Sequence, residues 1–192
     1  MNNKFERVAL QDPAELATFI NLLKRENVKS YLEIGSKFGG SLWQIANKVL
    51  PKGSRIVAVD LPHGDTSFKE SQPHLEACVK HLQKDYDAHL FLGDSTDQLI
   101  VGSVSQLGPF DACLIDANHT EPYVRADWAN YGPMARIVAF HDIGWKLEDR
   151  SSKKMPIEVP KVWAEIKDQF KHEEIKLCHT KRDNGFGVLW RC

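Results

Sequence analysis

Glu33, Gly35, Gly39 and Asp60 are spaced to hold a nucleoside-containing ligand. The run Tyr31-Leu-Glu-Ile-Gly-Ser-Lys-Phe-Gly-Gly-Ser41 reads as a short apolar strand, a glycine turn and the start of a helix. A glycine turn lets backbone approach a ligand closely, because no Cβ intervenes. The helix that follows offers unpaired N–H groups to an anion. Asp60 ends the next apolar strand, Arg55-Ile-Val-Ala-Val59, where an acid can accept both hydroxyls of a ribose. Further along lie Asp94-Ser95, then Asp116 with His119 three residues later, then His141-Asp142. Carboxylates and imidazoles grouped in this way can move a proton or hold a cation.

Strands and helices alternate to position these groups. Asp12-Pro13-Ala-Glu15 carries a cap acceptor, a first-turn proline and an acid, and Leu16, Phe19, Ile20 and Leu23 follow at helical spacing up to Asn27. Strands are predicted at 30–34, 55–59, 89–92, 110–115, 136–140, 175–178 and 186–190. Between them, helices carry Leu42, Ile45, Ala46 and Val49; Leu75, Val79, Leu82 and Tyr86; Leu99, Ile100 and Val104; Val124, Trp128 and Tyr131; and Trp163, Ile166 and Phe170. Ser95-Thr-Asp-Gln98 reads as a capping box, and Pro160 as a helix start. Asp183-Asn-Gly185 between the last two strands is a hairpin signal.

The predicted fold is α/β: a Rossmann-like, doubly wound, mostly parallel seven-stranded sheet closed by a C-terminal antiparallel hairpin. Right-handed crossovers place every parallel strand's C-terminal end on one edge, and there Glu33, Asp60, Asp94, Asp116, His141 and Asp142 collect. Residues 1–192 are expected to form a single domain, with 1–29 as an N-terminal helical extension and 143–159 as a lid-like loop.

Composition narrows the classes. A net charge of -1 gives no general attraction to nucleic acid or to an anionic membrane. The apolar runs are too short to span a bilayer, and the polar start Met1-Asn-Asn-Lys does not read as a signal peptide. Cys78, Cys113, Cys178 and Cys192 lie far apart with no C-x-x-C pair, so neither a disulfide framework nor a zinc site is expected. The cytoplasm is the default location.

A dinucleotide fingerprint needs G-x-G-x-x-G, and Lys37 occupies its second glycine position; no phosphate-binding G-x-x-x-x-G-K-[ST] occurs either. What fits is E-x-G-x-x-x-G, through Glu33, Gly35 and Gly39. These residues, with Asp60 and Asp94 in register, resemble the class I S-adenosylmethionine-dependent methyltransferases. The resemblance extends over the order of elements along the whole chain. It implies that Glu33, Gly35 and Gly39 wrap the amino-acid end of S-adenosylmethionine, that Asp60 holds its ribose, and that Asp94 and Ser95 lie near its adenine.

Leu114-Ile-Asp116-Ala-Asn-His119 and Ala139-Phe-His-Asp142 look like the branch containing macrocin-type sugar O-methyltransferases and cephalosporin hydroxylase-like proteins. Some of that branch bind Mg²⁺ or another divalent cation, which implies Asp116 and Asp142 as metal ligands. Where those relatives carry the first acid of a pair, this chain has His141, and imidazole suits Mg²⁺ poorly. The resemblance also implies a catalytic set of His119 as general base with Asp116 and His141. The residues alone leave His119 open as a cap for the helix that begins near Thr120.

Trp43 and Trp163 read as core residues, whereas Trp145 reads equally as a substrate-stacking residue or a lid anchor. His63, His74, His81, His89, His172 and His179 show no partnering pattern and are expected on the surface. The expected activity is methyl transfer to a hydroxyl of a small molecule, with a sugar among the candidates. A homo-oligomer is allowed, and neither nucleic acid nor a membrane is expected as partner. The rival readings are a non-catalytic cofactor-binding protein of the same fold and an NAD-dependent oxidoreductase.

Overall fold

The computed structural model describes Phe5 and residues 9–61, 71–145, 156–177 and 184–191 of the chain. Among the described residues, six α-helices and seven strands appear in this order: α1 Pro13–Arg25, β1 Tyr31–Ile34, α2 Gly40–Lys48, β2 Arg55–Asp60, α3 Ser71–Leu82, β3 Asp87–Leu92, α4 Gln98–Ser105, β4 Phe110–Ile115, α5 Glu121–Tyr131, β5 Ala135–His141, α6 Val159–Ile166, β6 Lys171–Ile175 and β7 Phe186–Trp190. The strands form one sheet in the order β3-β2-β1-β4-β5-β7-β6. Pairing is parallel from β3 to β5 and antiparallel on both sides of β7.

Alternation along each strand divides the core into two layers. Tyr31, Ile56, Ala58, Ala112, Leu114 and Ala139 face α1, α2 and α3. Leu32, Ile34, Val57, Cys113, Val138 and Phe140 face α4, α5 and α6. Because both faces are covered, β1 is buried at every position, as a central parallel strand must be. Helix α1 is capped by Asp12, whose carboxylate accepts from the N–H groups of Ala14 at 2.9 Å and Glu15 at 3.1 Å. It stops near Asn27, which adopts φ 53°.

Three sequence expectations are corrected. The sixth strand runs from Lys171 to Ile175 rather than from 175 to 178. It is a sheet edge with only Ile175 buried, so backbone pairing to β7 sets its position, and its charged residues guard the edge. Helix α4 is capped by Asp97 rather than Ser95, because the Asp97 carboxylate accepts from the Leu99 N–H at 2.9 Å. Tyr86 lies beyond the end of α3 and donates to the Ala46 carbonyl at 2.8 Å.

The hairpin pairs antiparallel as expected, with Gly185 at φ 69° just before β7. Its Asp183 lies outside the described residues, as do His63, His179, Cys178, Cys192 and most of the proposed lid. Trp163 is buried, and Trp43 is partly buried against the core. Among the described residues, no helix is long and apolar enough to cross a membrane.

Candidate active site

The loop between β1 and α2 is built from backbone that few side chains tolerate. Gly35 lies at φ 89° and Gly39 at φ 77°, in the left-handed region. Gly35 donates to the Val59 carbonyl at 2.8 Å, and Gly39 to the Ser36 carbonyl at 2.7 Å. A Cβ on Gly35 would come within 2.2 Å of the Asp116 carbonyl oxygen, so the glycine packs directly on the segment after β4. Lys37 takes φ 48° and donates its backbone N–H to Asp60 Oδ2, which fixes the loop to the end of β2. Helix α2 begins after Gly39 with no side-chain cap, which leaves its first N–H groups available to a ligand.

Glu33 stands behind this loop. Its carboxylate accepts from the Tyr31 hydroxyl at 2.8 Å and from the Ser41 hydroxyl at 2.9 Å. Complete burial raises its pKa to about 7, although both hydroxyls act the other way. Asp60 is likewise shifted upward by burial, against the N–H groups of Lys37 and Ser36.

Past β3, Asp94 accepts from the Thr96 N–H at 2.9 Å and the Thr96 hydroxyl at 2.7 Å. Ser95 is held by Tyr131, and one turn earlier on the same helix sits Asp127, fully buried. Burial raises the Asp127 carboxyl to about 7, offset only in part by the Ser95 side chain. Nothing in the sequence singled out Asp127, because its position matches the ordinary polar stretches of a helix.

At the ends of β4 and β5, four titratable groups converge. His119 Nε2 lies 3.3 Å from Asp116 Oδ1 and 3.4 Å from Asp142 Oδ2. His141 Nδ1 lies 3.2 Å from Asp116 Oδ1 and 3.3 Å from Asp142 Oδ1. Burial opposes ionisation of Asp116, but the two imidazoles outweigh it and hold this carboxyl well below the usual range. Burial also opposes the imidazolium of His141, yet Asp116 raises its pKa to about 9. His119 is raised by the same carboxylate against burial. Asp142 is raised, chiefly by burial, against the imidazoles of His141 and His119.

A cavity of about 210 Å³ joins the two halves. Gly35, Ser36, Lys37 and Ser41 line it together with Asp116, His119, His141 and Asp142. Trp145 lines it too, as does the N-terminal segment Ala9-Leu10-Gln11. Gln11 Nε2 donates to Asp116 Oδ2 at 2.7 Å, a contact across 105 positions that no local pattern announces. Of the residues expected to bind a cofactor, Gly35 lines the cavity. Glu33 and Gly39 support its loop from behind, and Asp60, Asp94 and Ser95 stand along the neighbouring strand ends rather than in the cavity wall.

The donor set can be compared with the cation expected from the sequence. Ligand atoms of Asp116, His119 and Asp142 all lie within 4.8 Å of one another. Two carboxylates and an imidazole match a first-row transition ion better than Mg²⁺, which prefers oxygen alone. The imidazole at position 141 stands where an acid was expected, and it does so as a buried partner of both carboxylates.

Comparison with known proteins gives consistent results. The profile of a family described as "Methyltransferase domain" matches residues 32–143. No curated protein matches the sequence. Among solved structures, the O-methyltransferase TomG from Streptomyces achromogenes, in complex with S-adenosylmethionine, superposes with a TM-score of 0.70 at 19% identity, over 96% of this chain and 82% of that one. An O-methyltransferase from Bacillus cereus bound to S-adenosylhomocysteine gives 0.67 at 15% identity, over 97% and 84%. An S-adenosylhomocysteine-bound methyltransferase from Podospora anserina gives 0.60 at 15%, over 95% and 80%.

Proposed function

Because the chain belongs to the methyltransferase-domain family, we propose that it transfers a methyl group from S-adenosylmethionine to a hydroxyl of a small molecule. One observation carries this reading. A single cavity is lined both by the Gly35–Ser41 loop and by the Asp116–His119–Asp142 cluster, which sets a cofactor loop beside a proton-handling group. The loop takes the amino-acid end of the cofactor, Asp60 the ribose through the carboxylate oxygen not tied to Lys37, and Asp94-Ser95 the adenine.

A sulfonium is already a strong methyl donor, so the protein aligns the acceptor, excludes water and removes one proton. Asp116 and Asp142 position the hydroxyl, and His119 takes its proton. Trp145 closes the cavity beside His141. The two described cysteines, Cys78 and Cys113, are buried and free, in keeping with a cytoplasmic enzyme.

The donor cluster favours a second reading of how the hydroxyl is activated. Asp116, His119 and Asp142 would hold a divalent ion, which when bound lowers the pKa of a coordinated hydroxyl. In that case His119 serves as a ligand and no longer as the base.

The test is a thermal-shift series with S-adenosylhomocysteine or NAD, each with a divalent ion or EDTA. A ligand that binds only the native state raises the melting temperature in proportion to the logarithm of its concentration over Kd. A shift with S-adenosylhomocysteine is expected. A shift with NAD alone would overturn the reading in favour of an oxidoreductase, and binding without turnover of any acceptor would favour a non-catalytic protein.

A further inference from the structure

Helix α5 begins two residues after His119, and its own cap position does not cap it. Thr120 stands there, but its hydroxyl donates to Asn118 Oδ1 at 2.9 Å and makes no cap bond. The first N–H of the helix, that of Glu121, is accepted instead by Glu158 Oε2 at 2.9 Å, from 37 positions away. A carboxylate placed there also meets the positive end of the helix dipole. The backbone N–H of the same Glu158 donates to the His119 carbonyl at 2.7 Å. One residue thus grips the chain on both sides of Thr120.

Glu158 has a firm base for this. It stands at the cap position of α6, whose Val159, Val162, Trp163 and Ile166 are buried. Its carbonyl accepts from the N–H groups of Lys161 at 3.1 Å and Val162 at 3.4 Å, yet its side chain makes no cap bond to α6. A polar side chain at a cap position ordinarily serves its own helix, and here it serves another.

His119 needs a hold from outside its own loop. Its side chain is 32% exposed, against 10% for Asp116 and 8% for Asp142. Its Nε2 lies 3.3 and 3.4 Å from their oxygens, longer than the ~2.7–3.2 Å of a firm hydrogen bond. Those contacts leave the ring room to swing, so the placing of its backbone decides what Nε2 reaches. We propose that Glu158 is a positioning residue for His119: its paired grip on the His119 carbonyl and the Glu121 N–H sets the imidazole beside Asp116 and Asp142. Glu158 does not line the cavity and acts through His119. The proposal rests on the reading that His119 activates the acceptor hydroxyl, whether as base or as ligand.

The test reads the imidazole signals of the full chain by NMR, with His119 assigned as the histidine missing from His119→Gln. Glu158→Ala should shift or broaden the His119 signals and leave those of the exposed His89 and His172 in place. Glu158→Gln keeps an oxygen for the Glu121 N–H and should return the His119 signals to the parent positions. Arg125→Met is the control, because Arg125 bridges Glu121 and Glu165 through side chains alone and so braces α5 against α6. It should leave the His119 signals unmoved whatever it does to the melting temperature. Unmoved His119 signals in Glu158→Ala would overturn the proposal. So would an equal movement in Arg125→Met, which would make Glu158 a brace between helices and nothing more. Should Glu158→Ala fail to fold, hydrogen exchange on the unaltered protein decides: the Glu121 and Glu158 amides should be protected, and exchange at the rate of free peptide would overturn the grip. Turnover of His119→Gln tests the hydroxyl-activation reading separately, and full turnover there would overturn that reading without moving the signals that test Glu158.

Discussion

The Lys37 backbone N–H donates to Asp60 Oδ2 and so ties the loop after β1 to the end of β2. Asp60 therefore has a structural duty as well as the expected one toward a ribose. Asp60→Ala removes both, whereas Asp60→Asn keeps an acceptor for the Lys37 N–H. The alanine variant should lose about tenfold to a hundredfold in S-adenosylhomocysteine affinity, from the ~1.5–3 kcal/mol typical of a hydrogen bond to a charged group. The asparagine variant should lie between it and the parent. Calorimetric titration checks this, and unchanged affinity in Asp60→Ala would remove the residue from the cofactor site.

Gly35 couples the two sets of residues that line the cavity. A methyl group there would approach the Asp116 carbonyl oxygen to 2.2 Å and Ala117 Cα to 2.6 Å, all backbone with no freedom to yield. At Gly53, by contrast, φ is 82° but nothing lies within 4 Å of the added carbon. Gly53→Ala should cost only the strain of the left-handed backbone, about 1 kcal/mol. Gly35→Ala should cost more than about 3 kcal/mol, since strain and collision add. Urea denaturation of the two variants gives the comparison, and equal losses would contradict the packing of Gly35 on the β4 segment.

Glu33 predicts the direction in which stability changes with pH. Its folded pKa, about 7, exceeds the ordinary 4.5 because burial disfavours the carboxylate. A group shifted in this direction costs nothing below its unfolded pKa. It costs progressively more as pH rises through the interval, and roughly 3 kcal/mol once both states are ionised. Glu33→Gln removes the titration but leaves an oxygen for Tyr31 or Ser41. The variant should therefore match or trail the parent near pH 5 and exceed it near pH 8. Denaturation midpoints at the two pH values decide, and parallel profiles would mean that Glu33 is not held neutral by the fold.

The order of elements and the glycine loop were legible in the sequence because they rest on local signals. Apolar runs with ends marked by Gly35, Asp60 and Asp116 fix strands, and left-handed turns call for glycine. The edge strand β6 was misplaced because Lys171-His-Glu-Glu174 carries no alternation, and its pairing is decided by β7. Gln11 and Asp127 escaped notice for a related reason. Their roles arise from contacts with residues distant in the chain, and their local surroundings are those of any polar position. His141 was visible as a departure, but only the fold reveals that it contacts both Asp116 and Asp142.

His119 separates the two readings of hydroxyl activation, since one nitrogen cannot both hold an ion and accept the proton. Its Nε2 stands 3.3 Å from Asp116 and 3.4 Å from Asp142, the geometry that either role requires. If His119 is the base, His119→Gln should lower kcat by about 10²–10⁴, the range for loss of general-base catalysis. S-adenosylhomocysteine affinity should stay within about twofold of the parent, because His119 belongs to the cluster after β4 and not to the loop between β1 and α2. EDTA should then leave both turnover and melting temperature unchanged. If His119 is a ligand, EDTA should lower both, and Zn²⁺ or Mn²⁺ should restore them better than Mg²⁺, in keeping with a mixed nitrogen and oxygen donor set. The variant should lose that metal-dependent gain in melting temperature. Turnover and thermal melting, each with and without chelator, therefore assign the residue, and equal loss of cofactor binding and turnover in His119→Gln would exclude both roles.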